Sequence, residues 1–233
     1  VRRKSQTTRS YMRIEEGQRD KMTSPQSPRI PSRLENQSSS LIPLLDEAAF
    51  INFEVADADL ESANAEGVSF QGGCFSRTIL RQTCLQRLEL QDVMLTDCDL
   101  ANAQFPDARV VRVTMTKCRL TGLQLGESFL QDVQLVNCIG QMSQFRFSKF
   151  KSCSFEDCDL REANFQGADL AGVVFSGCDL RNAELSQATL TGTDLASCNI
   201  EGVRVNQEAL QGVVLAPHQA AYVAGLFGVT VKW

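Results

Sequence analysis

Cys158-Asp159-Leu160-Arg161-Glu162-Ala163-Asn164-Phe165-Gln166-Gly167-Ala168-Asp169-Leu170 holds three copies of one five-residue unit, and its reading decides the fold. Each copy sets a small residue, then Asp or Asn, then Leu or Phe, before two further residues. Stepping outward from Leu160 by fives keeps this phase from Phe50 to Leu215, 34 positions without an insertion, 18 of them Leu and 9 Phe. A helix repeats about every 3.6 residues and a strand about every 2, so neither holds such a period on one face. The repeat is itself the structural unit.

The residue two places before each large one forms a second apolar column. In 30 of 34 units it is Ala, Cys, Ser, Thr, Gly or Val, the exceptions being Phe53, Leu88, Leu123 and Glu208. Large beside small is what the interior of a narrow tube requires. The other three positions are mostly polar and face out.

Ala58-Asp59-Leu60, Ala163-Asn164-Phe165, Ala168-Asp169-Leu170, Cys178-Asp179-Leu180, Ala183-Glu184-Leu185 and Cys198-Asn199-Ile200 resemble the unit of the pentapeptide repeat family, over about residues 46–216. The resemblance implies an all-β fold, a right-handed quadrilateral parallel β-helix in which four pentapeptides make one coil. Its 34 units then make about 8–9 coils. The expected organisation is a disordered basic tail over 1–40, the β-helix over 41–216, and a capping or dimerisation segment over 217–233. Leu41 to Leu45 are expected to plug the first coil.

With twenty residues per coil, Cys98, Cys118, Cys138, Cys158, Cys178 and Cys198 stack in one inward column below Ala58 and Thr78. Cys153 points inward on the adjacent face, and Cys74 and Cys84 point out. The chemical reading of nine cysteines is metal binding or redox sensing; the packing reading is a small apolar filler. The spacing matches no metal motif and no C-x-x-C occurs, which favours packing. Unpaired thiols in this number fit a reducing, cytoplasmic compartment. Only Cys74 and Cys84 are expected to react.

One His, one Trp and two Tyr leave little for His-based catalysis or base stacking. His218 stands alone, no nucleophile elbow or phosphate loop is present, and the repeat accounts for the abundant Asp and Asn. No enzyme activity, cofactor or metal is expected. Mean hydropathy is -0.15 and no apolar run reaches the ~18 residues of a membrane span.

Residues 1–40 carry nine basic and four acidic side chains, a balance of +5, so the total of -5 leaves -10 on the remainder. With Pro25, Pro28 and Pro31 and few large apolar groups, this segment reads as unable to offset its ordering entropy. Beyond Leu215, Pro217 to Gly228 reads as a short helix, then an extended end. It covers the last coil or, by resemblance to family members with a similar ending, joins two copies through Val223, Leu226, Phe227 and Trp233; both roles stay open.

Function must lie on the outside of the rod. The leading expectation is a non-enzymatic scaffold for an unidentified protein partner, without direct nucleic-acid binding or a membrane span. A mid-rod group, Phe129, Val136, Ile139, Met142 and Phe147, is the candidate patch, although corner positions need not be contiguous. The alternative, implied by resemblance to quinolone-resistance pentapeptide proteins, is a DNA-mimicking modulator of a type II topoisomerase such as gyrase. Its candidate acidic face is Asp57, Asp59, Asp97, Asp99, Asp157, Asp159 and Asp179. Arg109, Arg112, Lys117 and Arg119, with Arg146, Lys149, Lys151 and Arg161, interrupt that field.

Overall fold

The computed structural model describes residues 24–38, 41 and 43–232. From Ala49 onward the paired residues lie in parallel and twenty apart, so the chain climbs one coil per four pentapeptides. Four columns of paired residues define four faces. The face through Glu54 has nine rungs, up to Val214. The faces through Asp59, Asn64 and Ala49 have eight each. At about 4.8 Å per rung the described rod is roughly 40 Å long. Strands Ser69–Ser76, Glu89–Thr96, Arg109–Thr116 and Phe129–Val136 each run through a corner, adding their ladders to two adjacent faces.

The corners explain why the unit has five residues. The second residue after most of the large ones turns the chain with φ near +55°, as in Asp57, Asp97, Asn102 and Asn182. This left-handed region is costly for β-branched side chains. The residues found there include Asp, Asn, Gly, Arg, Ser, Met142 and Phe147, and no Val, Ile or Thr.

Inside, the large and small columns interdigitate as one continuous core. Where Phe53 puts a ring in the small column, Gly73 lies directly above it, one coil along. Leu123 is flanked in its column by Ala103 and Ser143, which leave it room. Phenylalanines cluster at Phe50, Phe53, Phe70 and Phe75, and again from Phe145 to Phe175. Gly140 leaves no break: the ladder passes from Arg119 through Ile139 to Asp159, and Leu160 Cδ2 fills the missing space, 3.0 Å from where a Cβ would stand.

The last coil is closed by the helix Pro217–Leu226. Buried Gln219 donates from Nε2 to the carbonyls of Leu195 and Cys198, each at 2.8 Å, and accepts the Ala216 amide at Oε1. The Tyr222 hydroxyl accepts the Gly202 amide at 2.6 Å. At the first coil Leu41 is fully buried and Leu44 nearly so, whereas Leu45 is exposed.

Residues 24–38, expected to be disordered with the rest of the tail, instead lie on the rod. The Gln26 amide donates to Asp132 Oδ1 at 3.1 Å and the Arg29 amide to Asp92 Oδ1 at 3.0 Å. Strand Glu35–Asn36 then adds to Phe53 and Glu54 in the first coil. Composition misleads here because the stabilising groups belong to the rod, and because three prolines lower the entropy lost on docking. Residues 1–23, Ser39, Ser40, Ile42 and Trp233 lie outside the described residues.

Candidate interaction surfaces of the rod

The inward chemistry is used up by the backbone. Cys138 Sγ donates to the Met115 carbonyl at 3.3 Å, and Cys118, Cys158 and Cys178 reach Leu95, Leu135 and Phe155 at 3.3–3.6 Å. Each acceptor belongs to the large residue of the preceding coil. The pattern is not special to sulfur: Ser128 reaches Phe105, and Thr193 reaches Leu170 at 2.8 Å. A small donor at this position adds a hydrogen bond between successive coils; the Leu170 carbonyl, for one, accepts the Val173 amide as well as the Thr193 hydroxyl. Hydrogen bonds with the cysteines above and below, then burial, hold the Cys118, Cys158 and Cys198 thiols well above their ordinary pKa. Burial pushes Cys153 up to about 11. Such thiols are poor nucleophiles at neutral pH.

Cys74 and Cys84 are partly exposed, as their register requires. Cys74 is raised by desolvation and by the Glu54 charge. Among the described residues, no cluster of three or more His, Cys, Asp or Glu is arranged to hold a metal ion, and no helix is long and apolar enough to cross a membrane.

Of the expected acidic face, Asp57, Asp99, Asp159 and Asp179 lie in ion pairs. Asp57 takes both guanidinium nitrogens of Arg77, at 2.6 and 2.7 Å. Asp159 accepts from Arg161 and Gln141, and the Arg161 hydrogen bond leads in lowering its pKa to about 2. Asp179 pairs with Arg181, and Asp99 lies 3.8–3.9 Å from Arg81 and Arg119. Asp97 and Asp157 share the Asp57 corner column, which also carries Arg77 and Lys117. Asp59 heads the face, accepting the Glu61 amide. A duplex carries one charge per ~1.7 Å, about 23 over 40 Å. Against that, the rod's -10 is weak and locally paired.

The candidate apolar patch divides. Ile139, Met142 and Phe147 are each about half exposed, while Phe129 and Val136 are partly buried. Ile139 and Met142 share a face and its following corner, whereas Phe147 turns the next corner toward the face that holds Phe129. Arg109 lies 5.1 Å over the Phe129 ring, and Arg146 lies 5.5 Å over Phe147. At the far end Val223 is buried against the last coil, while Leu226 and Phe227 stay exposed beside Val229 and Val231. Trp233 lies outside the described residues. Sequence reasoning missed Gln219, although a glutamine two residues after a helix-starting proline at an open end is a visible signal. It also missed Asp92 and Asp132, which look like ordinary corner residues.

Four-sided coils of twenty residues with alternating large and small inward columns define a class of protein. Two family descriptions match the chain: a pentapeptide repeat region over 88–165 and 148–223, and pentapeptide repeats (8 copies) over 44–82. The chain belongs to the pentapeptide repeat family. Among solved structures it is similar to HetL, a pentapeptide repeat protein involved in heterocyst differentiation regulation from the cyanobacterium Nostoc sp. strain PCC 7120. Identity is 17%, coverage 73% of this chain and 90% of that one, and TM-score 0.48. It is also similar to full-length QnrB1, a plasmid-mediated fluoroquinolone resistance protein, at 20% identity, 79% and 97% coverage and TM-score 0.35. No curated protein sequence matches.

Proposed function

We propose that this protein is a non-enzymatic scaffold that binds a protein partner through the outer surface of its rod. The observation that carries this reading is the use of inward cysteine, serine and threonine groups as backbone donors, which leaves chemistry and recognition to the outside. The exposed side chains of Ile139, Met142 and Phe147 on a rigid frame supply anchors of the kind that dominate protein interfaces. Unpaired thiols at nine positions favour a reducing compartment such as the cytoplasm. Exposed Leu226 and Phe227 favour end-to-end pairing of two copies through the terminal segment.

The test is affinity capture with the intact protein beside two charge variants, Ile139→Glu/Met142→Glu and Phe129→Glu/Phe147→Glu. A partner held by the mid-rod surface is lost from one variant while thermal stability is kept. Partners retained by both variants remove the patch from the reading. The DNA-mimic alternative is weakened by the arginine pairing of its acidic face; inhibition of gyrase supercoiling at low micromolar protein would reinstate it.

A further inference from the structure

The segment that docks on the rod does so in a register that its sequence repeats. Pro25, Pro28 and Pro31 recur every third residue, and the residue after each of the first two donates its amide to the rod. The acceptors, Asp132 and Asp92, occupy one corner column two coils apart. Three residues of polyproline II advance about 9.3 Å, and two coils of a parallel β-helix about 9.6 Å. The two periods agree within a few tenths of an ångström, so an extended chain with proline at every third residue brings the amides of residues 26 and 29 to Asp132 and Asp92 in turn.

The column is prepared for this contact along its length. With the segment in place Asp92 and Asp132 are 6% and 4% exposed, buried between it and the rod. Arg112, one coil between them, holds Asp92 in a two-pronged ion pair at 2.6 and 2.7 Å, which orients the carboxylate toward the docked chain. The Gln131 side-chain amide donates to Asp132 Oδ2 at 3.2 Å and leaves Oδ1 to the Gln26 amide. At the level where the segment crosses from Asp132 to Asp92, outward-facing Val111 is only 6% exposed. Further along, the Pro31 ring packs over Gly72, whose φ of +66° makes it one of the left-handed corner residues.

We propose that the corner column Asn52, Gly72, Asp92, Arg112, Asp132 is a docking track for an extended partner segment with proline at every third residue, and that residues 25–31 are its built-in occupant. The proposal rests on the interaction-scaffold reading and names its partner's chemistry. Recognition uses backbone amides set by the proline period, with an exposed basic side chain such as Arg29 tolerated between prolines. The resident segment is held over this stretch by two hydrogen bonds from its amides to carboxylates and stays partly exposed, which places it among the more easily opened parts of the molecule. Its tether gives it an effective concentration of roughly a millimolar, so a competing segment must bind more tightly than that or arrive in several copies.

The experiment uses a full-length variant in which residues 25–31 are replaced by a Gly-Ser stretch of equal length. A labelled synthetic peptide with the sequence of residues 24–34 is titrated by fluorescence anisotropy, beside a peptide of the same composition whose prolines are adjacent. The expected result is binding to the vacated track at least tenfold tighter than that of the rearranged peptide or to the unaltered protein, and a roughly fivefold loss on adding Asp132→Ala. If the Gly-Ser variant unfolds, the full-length double variant Pro28→Gly/Pro31→Gly replaces it in the same comparison. Equal affinity for both peptides, or none for the folded variant, overturns the proposal. That failure leaves the scaffold reading standing if a captured partner still depends on Ile139 and Met142; loss of both results removes both.

Discussion

Phe53 and Gly73 stand one coil apart in the column that elsewhere holds small side chains, and each accounts for the other. A Cβ on Gly73 would overlap both the Phe53 carbonyl oxygen and its ring. Gly73 has no left-handed φ to explain it, so the glycine is there for space. Gly73→Ala is therefore expected to destabilise the first coils by about 2–4 kcal/mol through overpacking. Phe53→Ala costs about 3–5 kcal/mol through a cavity. The double variant should cost less than the sum, because the backbone can relax into the space left by the ring. Denaturant unfolding of the three variants checks this, and strict additivity would contradict it.

The cysteine ladder predicts a contrast between two near-isosteric changes. Cys138→Ser keeps the side-chain donor to the Met115 carbonyl, whereas Cys138→Val fills the same space and loses that hydrogen bond. The valine variant is expected to be the less stable of the two by about 1–2 kcal/mol. Thiol titration should find at most Cys74 and Cys84 reactive in the native state and all nine after denaturation.

Alkaline pH should destabilise the rod before any backbone chemistry begins. Cys153 keeps its proton in the folded state up to about 11, whereas an unfolded thiol ionises near 8.5–9. The folded state then binds more protons over this window, so stability is full below about pH 8.5 and falls as pH rises toward 11. A melting temperature that stays flat between pH 8 and 11 would count against the dry interior.

Acid acts on the outer ladder with the opposite sign. Asp159 ionises at about 2, with Arg161 its leading partner, against about 3.9 when unfolded. Its contribution is present above about pH 4 and is lost as pH falls through 2. The pair is partly exposed, so the loss is well under what the shift alone implies and shrinks further in salt. Asp159→Asn should flatten this part of the acid profile.

Gln219 is expected to be the most sensitive polar residue of the terminal helix. Gln219→Ala removes its hydrogen bonds to the Leu195 and Cys198 carbonyls and from the Ala216 amide, at about 2–4 kcal/mol together, although the Leu195 carbonyl keeps the Cys198 amide. The effect should appear as early fraying of the last coil in hydrogen exchange, with the strands around Val113 unchanged.

The five-residue period, the twenty-residue stack and the inward cysteines were legible because each follows from local spacing: a residue five along turns one corner and a residue twenty along lands directly above. Even the corner chemistry shows in the sequence, since the left-handed turns at this period exclude Val, Ile and Thr. The docked segment was not legible in the same way. Nothing within Pro25 to Pro31 encodes an acceptor, and nothing around Asp92 or Asp132 marks them off from the other corner aspartates.

The sequence by itself thus determined the tube, because its stabilising contacts repeat at fixed separations along the chain and every coil restates them. Only the tertiary structure decided what lies on the tube: that arginines on the same or the adjacent coil pair with four carboxylates of the acidic face, that the mid-rod apolar residues divide between separate edges, and that a segment over a hundred residues before Asp132 binds it. Those relationships depend on which residues are brought to one side in space, and one-dimensional periodicity carries no record of them.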